Sequence, residues 1–515
     1  MKFSKRLLAA LFLIGALMIV LGIAIKEADW LRTLEAYEND DTPVVRHTLV
    51  IWYTDADLTE YIQSAAVSFS EHPENQHLRI MPVLVSALEY LENINRASLE
   101  FEGPDLFVIG HDNLEKAYLA GLAEVVDEDF SVSLLADYPE AAINAVSYHD
   151  KILAYPFYFE TSALLFNRTH LEEMVKAKIL TDADEAAAEQ AMIDLALHGP
   201  EEEILEVPAY MEEVLRLQND MVYIENQIAL MKPNSFEDLK NVAMEYDAPM
   251  TVEGLIKWDV NDIFYNYFFI GNAISVGGES GDDIENIDIY NPEAIRSMRM
   301  FQDLSQFFAI EAKDAKYSRI IEEFIEGKLV FTVATTDIVG KLDEAIRNGE
   351  FLYEYGILPV PDIDDKTPTR SLSMVNSIVI NGYSEHQTDA NRFAIYLAGE
   401  FAENLYQRTG KIPALRSATP ANEFLRVFFD EFTRSIPMPK MIETSNFWIQ
   451  LQITFARIWQ GADANEQLKK LSEQIMTQVT GVPFTEELIV EVIEIEEMEY
   501  LDEEQLLWEA LHEAE

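Results

Sequence analysis

Acidic and aromatic side chains recur where predicted β-strands of this chain end. Asp55 directly follows an apolar, β-branched run at 47–53, which predicts a buried strand, and Asp57 competes with it as the candidate acid. Glu160 ends a second strand-like run, 151–160, after consecutive aromatic residues. Carboxylates orient hydroxyl groups by hydrogen bonding, and aromatic rings pack on apolar ring faces. The combination suits a ligand rich in hydroxyl groups, although Glu160 is equally consistent with a structural ion pair.

A second group of candidates lies in the middle of the chain. Asp262 and Tyr265, with Asp259 and Tyr267, form a polar and aromatic patch suited to the same class of ligand. The alternative is that 264–270 is the buried face of a helix, which would put Tyr265 in the core. Both interpretations stay open from the sequence.

Motifs of common catalytic sites are missing from the sequence. It contains no GxSxG, no HExxH and no P-loop. Carboxylate pairs suited to glycoside hydrolysis arise by chance among so many acids. The absence of cysteine excludes disulfides, thiol catalysis and cysteine-bound zinc. We therefore expect a protein that is not an enzyme and has no cofactor or metal, and we interpret His111 as a structural residue.

Charge restricts the partners of this chain. Its 515 residues include 37 Lys+Arg and 92 Asp+Glu, a formal net charge of -55. Such a surface repels nucleic-acid phosphates and anionic lipid headgroups, so neither is an expected partner. Like charge also keeps copies apart, and we expect a monomer. A chain of this length needs more than one compact lobe.

The N-terminal sequence indicates export. Lys2, Lys5 and Arg6 precede an unbroken apolar run at 7–25, which is long enough to span a bilayer. No clear cleavage pattern follows, so we favour an uncleaved anchor over a cleaved signal peptide. With the basic end inside, the rest of the chain lies outside the cytoplasm, at the cell surface or in the periplasm, and meets the membrane only through this segment.

Strand and helix signals alternate after the N-terminal segment and predict a largely parallel α/β sheet. The first alternating strands and helices are predicted at 47–53, 58–69, 78–85, 88–99, 103–109 and 111–120. Around 170–231 the composition predicts an inserted helical hairpin, with helices at 184–197 and 211–231. From 482 to 515 there is no Lys or Arg, and the segment is either a helix with an apolar face or a solvated acidic tail.

Several segments resemble a known family in their order and spacing. In chain order these segments are 48–54, 103–112, 121–125, 150–156, 324–332, 355–361 and 445–448. They include a Gly-Pro-Asp strand entry followed by a His-Asp pair, and the run Lys-Ile-Leu-Ala-Tyr-Pro ending at Pro156. Taken together over 48–481, they resemble the maltose-binding-protein branch of the extracellular solute-binding proteins, family 1.

The resemblance implies an α/β, periplasmic-binding-protein-like fold, in which two α/β lobes are joined by a three-crossing hinge around a ligand cleft. The implied segments are a signal peptide or anchor at 1–26, a linker at 27–44, an N-terminal lobe at 45–157 plus 361–414, a C-terminal lobe at 158–360 plus 415–481, and an acidic tail at 482–515. The crossings fall near 157–160, 355–360 and 413–417. The lobes would close on an oligosaccharide and present it to the permease subunits of an ATP-binding-cassette importer.

The resemblance also implies site residues. Trp448 corresponds to a sugar-stacking Trp, with a core Trp as the alternative, and Asp112 corresponds to the acid of the His-Asp pair. The sequence departs from the maltose pattern where Ala56 replaces a Lys, and where Ile109 and Asp337 each replace a Trp. Two aromatic platforms are therefore missing, which puts maltose itself in doubt. The predicted ligand-binding residues are Trp448, Glu160, Asp55, Asp112, Tyr265, Asp262 and Asp337.

Two functions of other classes stay open from the sequence. One is a membrane-anchored sensor or scaffold of the same fold that has no role in transport. The other is a secreted carbohydrate-active enzyme, which the release of reducing ends from a glycan would reveal.

Overall fold

The computed structural model describes residues 47–126, 135–198, 210–245 and 251–490. The predicted anchor at 1–26, the linker at 27–44 and the part of the tail from 491 onward lie outside these residues. No helix within the described ranges is long and apolar enough to cross a membrane.

Internal contacts divide the described residues into two compact units. The smaller one comprises 47–48 and 70–79, and the main body comprises 49–69 and 80–490. Every candidate site residue belongs to the main body.

Runs of apolar, β-branched and aromatic residues form the strands. In chain order they are β1 (His47–Tyr53), β2 (Leu78–Leu84), β3 (Leu106–Gly110), β4 (Ser147–Tyr148), β5 (Lys151–Ile152), β6 (Tyr155–Glu160), β7 (Ser162–Asn167), β8 (Gly254–Ile256), β9 (Ser275–Val276), β10 (Ile287–Asp288), β11 (Leu329–Thr335), β12 (Tyr355–Leu358), β13 (Leu372–Ile380), β14 (Ile412–Pro413) and β15 (Ile436–Pro437).

Two sheets contain most of these strands. The first sheet has the order β14-β6-β13-β3-β1-β2, with β15 beside β13, and the second has the order β12-β7-β11-β8. β1 and β3 run parallel, as do β8 and β11. However, β13 is antiparallel to β3 and β6, and β7 is antiparallel to β11 and β12. The prediction of a largely parallel sheet is wrong for these strands, because the chain enters β7 and β13 directly from the other sheet without a helical crossover.

Helices alternate with the strands, as the sequence pattern predicts. In chain order they are α1 (Thr59–Glu71), α2 (Tyr90–Leu99), α3 (Leu114–Leu119), α4 (Glu140–Val146), α5 (Arg168–His198), α6 (Tyr210–Gln218), α7 (Met221–Met231), α8 (Phe236–Glu245), α9 (Pro292–Phe308), α10 (Tyr317–Ile325), α11 (Ile338–Asn348), α12 (Gln387–Ile395), α13 (Leu405–Thr409), α14 (Glu423–Arg434), α15 (Phe447–Trp459) and α16 (Ala464–Thr480).

The region predicted as a helical hairpin contains α5, α6 and α7, and α5 packs against the other two. The helix predicted at 211–231 is interrupted because the carboxylate of Asp220 accepts hydrogen bonds from the backbone N–H groups of Val222 and Tyr223, each at 3.1 Å. An acceptor in this position caps a new helix, so α7 starts after Asp220.

The chain passes between the two sheets at three places. β6 ends in the first sheet at Glu160, and β7 begins in the second at Ser162. The second passage runs from β12 to β13, between Leu358 and Leu372. The third leads from β14 to α14, which packs against β7 and β12 of the second sheet. Three passages of this kind agree with the hinge that the sequence predicts.

Helix α14 joins the first two passages through its buried face. Its buried apolar residues recur at helical spacing, and the ring of Phe432 stacks on Phe159 of β6 with 4.1 Å between centroids. The carboxylate of Glu431, with no exposed side-chain area, accepts a hydrogen bond from Val360 N–H at 3.0 Å and from the Ser371 hydroxyl at 3.0 Å. Burial raises the pKa of Glu431, and its ion pair with Arg434 opposes this shift. Glu431 therefore ties both ends of the second passage to one helix.

Replacing Glu431 with alanine is expected to lower the free energy of unfolding by about 3 kcal/mol, because buried donors lose their charged acceptor. The E431Q variant should lose less stability than E431A, since the amide oxygen of glutamine still accepts one hydrogen bond. Urea unfolding followed by circular dichroism measures both, with D430A as the control because Asp430 is exposed on the same helix. Equal stability of E431A and D430A would contradict the role assigned to Glu431.

Candidate ligand-binding site

Carboxylates from both sheets meet near the first passage. Asp55 follows β1, and Glu160 ends β6, both strands of the first sheet. Asp337 lies between β11 of the second sheet and α11. The charges of Asp55 and Asp337 both act on Glu160 and raise its pKa. Two residues predicted from separate parts of the sequence thus lie within electrostatic reach of a third, Glu160.

Asp55 is held by two neighbours. The ammonium of Lys411 lies 2.6 Å from its carboxylate, and the hydroxyl of Tyr158 also forms a hydrogen bond with it. The same ammonium lies 5.0 Å from the centroid of the Tyr158 ring, within the range of a cation–π contact. The Tyr158 phenol is buried, and burial together with the carboxylates of Asp55 and Glu160 raises its pKa. It therefore remains a hydrogen-bond donor.

Strand pairing explains why Lys411 reaches this site. β14 runs antiparallel to β6, with Ile412 opposite Phe159 and Pro413 opposite Tyr158. One residue further in the same register, Lys411 comes opposite Glu160. Side chains in opposite positions project to the same face, with Cβ atoms about 5 Å apart. The lysine therefore faces the carboxylates that end β1 and β6.

Burial and charge act in opposite directions on Glu160. Burial has the largest effect and raises the pKa of its carboxyl group. The Lys411 ammonium lowers this pKa, while the carboxylates of Asp337 and Asp55 raise it again. The lysine therefore opposes the effect of burial on Glu160 without cancelling it.

The second sheet contributes hydroxyls and stacked rings. Asp337 accepts hydrogen bonds from the Thr335 hydroxyl at 2.6 Å and from the Tyr317 hydroxyl at 2.9 Å, and it pairs with Lys341. The Tyr317 ring stacks on Tyr265 with 4.7 Å between centroids. The site thus combines carboxylates, hydroxyls and aromatic rings, which is the set of groups that a saccharide needs.

A model of the bacterial extracellular solute-binding proteins matches residues 83–426 of this chain. The chain belongs to this family. It is 23% identical over 406 residues to the maltotriose-binding protein of Pyrococcus abyssi, covering 76% of this chain and 74% of that protein. It is 20% identical over 442 residues to the galactooligosaccharide-binding protein of Bacillus subtilis, covering 84% and 89%. Both relatives are binding proteins, and the extracellular family agrees with the predicted location outside the cytoplasm.

Solved structures show the fold of this solute-binding protein. The extracellular solute-binding protein from Staphylococcus aureus, in complex with maltose, superimposes with a TM-score of 0.63 at 19% identity and covers 86% of this chain and 99% of that one. The predicted α/β, periplasmic-binding-protein-like fold is therefore confirmed.

Three other predicted site residues of this solute-binding protein have different neighbours, and the fourth, Tyr265, lies beside Asp337. Trp448, at the start of α15, is half-buried, and its ring lies 5.6 Å from Tyr267 between centroids. Asp112, after β3, is partly buried; burial raises its pKa, and a hydrogen bond to the Asn113 side chain opposes this. The Asp262 carboxylate caps the 3-10 turn Ile263–Tyr265 by accepting from Phe264 N–H at 2.9 Å. Tyr265 is buried against Tyr317. A role in ligand binding stays a prediction for each of these residues.

The sequence patterns do not predict Lys411, Tyr158 or Tyr317. Lys411 belongs to the short segment before β14, which carries no motif. The only local signal for Lys411 is that it precedes the crossing predicted near 413–417. Lysines next to such segments are too common to indicate a ligand site. Tyr158 lies in the aromatic run before Glu160, where buried and ligand-facing rings look alike in sequence.

His111 has the structural role that the sequence predicts. It is fully buried, with Val375 N–H at 3.0 Å from one ring nitrogen and the Met438 carbonyl at 2.9 Å from the other. These partners suit a neutral ring that accepts at Nδ1 and donates at Nε2. Burial lowers the pKa of His111 to about 3.

The buried histidine is expected to make stability depend on pH. The unfolded chain takes up a proton at His111 below about pH 6.5, whereas the folded chain does so only near pH 3. Between these values the unfolded state binds more protons, so stability falls as the pH falls, by up to about 1.4 kcal/mol per pH unit.

Urea unfolding at pH 7, 6, 5 and 4 tests this expectation. H111N keeps an acceptor and a donor without a titratable ring, so its stability should fall less steeply over this range than that of the wild type. H149N serves as the control, because His149 is exposed. Its backbone has a φ of 44°, in the left-handed region, which asparagine tolerates. A wild-type slope equal to that of H111N would contradict the prediction.

Proposed function

We propose that this solute-binding protein captures an oligosaccharide outside the cytoplasm and delivers it to an ATP-binding-cassette importer. The observation that carries the proposal is the coupling of Glu160 to Asp55 and Asp337, because these acids come from the two sheets that the hinge joins. A ligand with hydroxyls on several sides can bridge such acids when the lobes close. The ligands named for the relatives, maltotriose and galactooligosaccharide, support this class.

We further propose that the lobes follow the sheets. The N-terminal lobe would comprise 45–157 and 361–414, and the C-terminal lobe 158–360 and 415–481. The membership of most strands in the two sheets supports this division, whereas β15 and the end of β6 belong to the first sheet but fall within the segments given to the C-terminal lobe. The apolar run at 7–25 would anchor the protein beside permease subunits, so that a loaded, closed form meets its importer at the membrane surface.

The missing aromatic platforms favour a polar mode of binding. Where a platform residue is expected from the family pattern, Asp337 offers an acceptor to sugar hydroxyls. Trp448 would supply one apolar surface, and the carboxylates would determine orientation. The panel of test ligands therefore includes both α-linked glucose and galactose oligomers.

Isothermal titration calorimetry with maltotriose, maltotetraose and a galactooligosaccharide tests the proposal, together with tryptophan fluorescence as a report on Trp448. We expect saturable binding of at least one of these sugars. E160Q and D55N should weaken it by about tenfold or more, because each loses a charge-assisted hydrogen bond. E253Q is the matched control, since Glu253 pairs with Lys328 at the far end of β11. A wild-type protein that binds none of the sugars would refute the proposal.

A further inference from the structure

Lys411 differs from an ordinary surface lysine in its surroundings. Its side chain is 18% exposed, and its ammonium is shared between the Asp55 carboxylate at 2.6 Å and the ring of Tyr158. An exposed ion pair contributes little and is easily screened. A lysine held on both sides has fewer conformations to lose, so it fixes its partner more firmly.

Acids outnumber cations around Glu160. Two carboxylates outside β6 raise the pKa of Glu160: Asp55, which follows β1, and Asp337, which precedes α11. The ammonium of Lys411, which precedes β14, lowers this pKa. On its own strand, the neighbouring phenol of Tyr158 is bonded to Asp55. Lys341, the other ammonium nearby, is paired with Asp337. Without Lys411, a half-buried glutamate would therefore face two carboxylates with no compensating charge.

We propose that Lys411 is the positioning residue of the ligand site: its ion pair with Asp55 and its contact with the Tyr158 ring hold it beside β6, where it orients the Asp55 and Glu160 carboxylates toward sugar hydroxyls. This role rests on the proposed function. An ionised carboxylate accepts at both oxygens, whereas a protonated one must donate at one of them. Loss of the lysine would thus change the pattern of donors and acceptors as well as weaken the site.

A titration of the ligand-free protein tests the electrostatic part of this role. The protein is labelled with carbon-13 at glutamate side-chain carboxyls, and the Glu160 resonance is assigned by its absence in E160Q. In K411M, Glu160 should titrate at a higher pH than in the wild type. K328M is the control, because Lys328 is an ion-paired lysine at the opposite end of β11. Superimposable Glu160 titrations in the wild type and K411M would overturn the proposal.

Calorimetry with the same sugar panel between pH 5.5 and 8 tests the effect on binding. K411M should bind about tenfold more weakly than the wild type near neutral pH, as expected when a charged positioning contact is lost. Its affinity should fall further as the pH falls, because Glu160 becomes protonated earlier. K411R should restore the wild-type pH profile, and K328M should leave both affinity and profile unchanged.

The outcomes separate this proposal from the function on which it rests. If the wild type binds none of the sugars, the proposed function fails, and the ligand-free titration alone decides the role of Lys411. If K411M binds weakly but with the pH profile of the wild type, the lysine has a merely structural role and the inference is overturned.

Discussion

A partly buried carboxyl group is ionised only where other groups balance its charge and is protonated otherwise, and Glu160 at the end of β6 is such a group. Burial raises its pKa, and two further carboxylates act in the same direction. The opposing cation comes from a strand pairing that brings Lys411 opposite Glu160. The proposed role of Glu160 in ligand binding depends on this balance, because an ionised and a neutral carboxyl group offer different hydrogen bonds.

A second buried glutamate stabilises the region that carries the first. Glu431 on α14 binds both ends of the passage between β12 and β13, while Phe432 on the same helix stacks on β6 one residue before Glu160. The helix therefore links the segments through which the chain passes between the sheets. These contacts hold the strand ends at the passages in place relative to one helix.

Hydrogen bonds orient the carboxylate that follows β11 in the second sheet. Asp337 is surrounded by hydroxyls from Thr335 and Tyr317 and by a lysine, so it is oriented before any ligand arrives. The ring of Tyr265 stacks on Tyr317 and so keeps the Tyr317 ring in position. An acceptor that is already oriented loses little entropy when a ligand binds to it.

The sequence by itself determined the local elements and the kinds of side chain at their ends. Apolar runs predict β1, β3 and β6, and the acids that follow them, Asp55 and Glu160, do lie near one another. The capping pair Ser235 and Asp238 predicts the start of α8, and the structure contains both of its hydrogen bonds. These features depend on neighbours within a few residues, so they can be read from the order of the chain.

Only the tertiary structure decided which residues complete the site. Lys411 reaches Asp55 and Glu160 because β14 pairs with β6 in one register, and the residues that pair are far apart in the chain. The direction of β7 and β13 likewise follows from passages between sheets, which leave no periodic signal. Trp448 and Tyr265 show the same limit, since an aromatic residue at helical spacing has one pattern whether it faces the core or a ligand. Charge balance and ring orientation result from contacts between distant segments, and local sequence patterns do not encode such contacts.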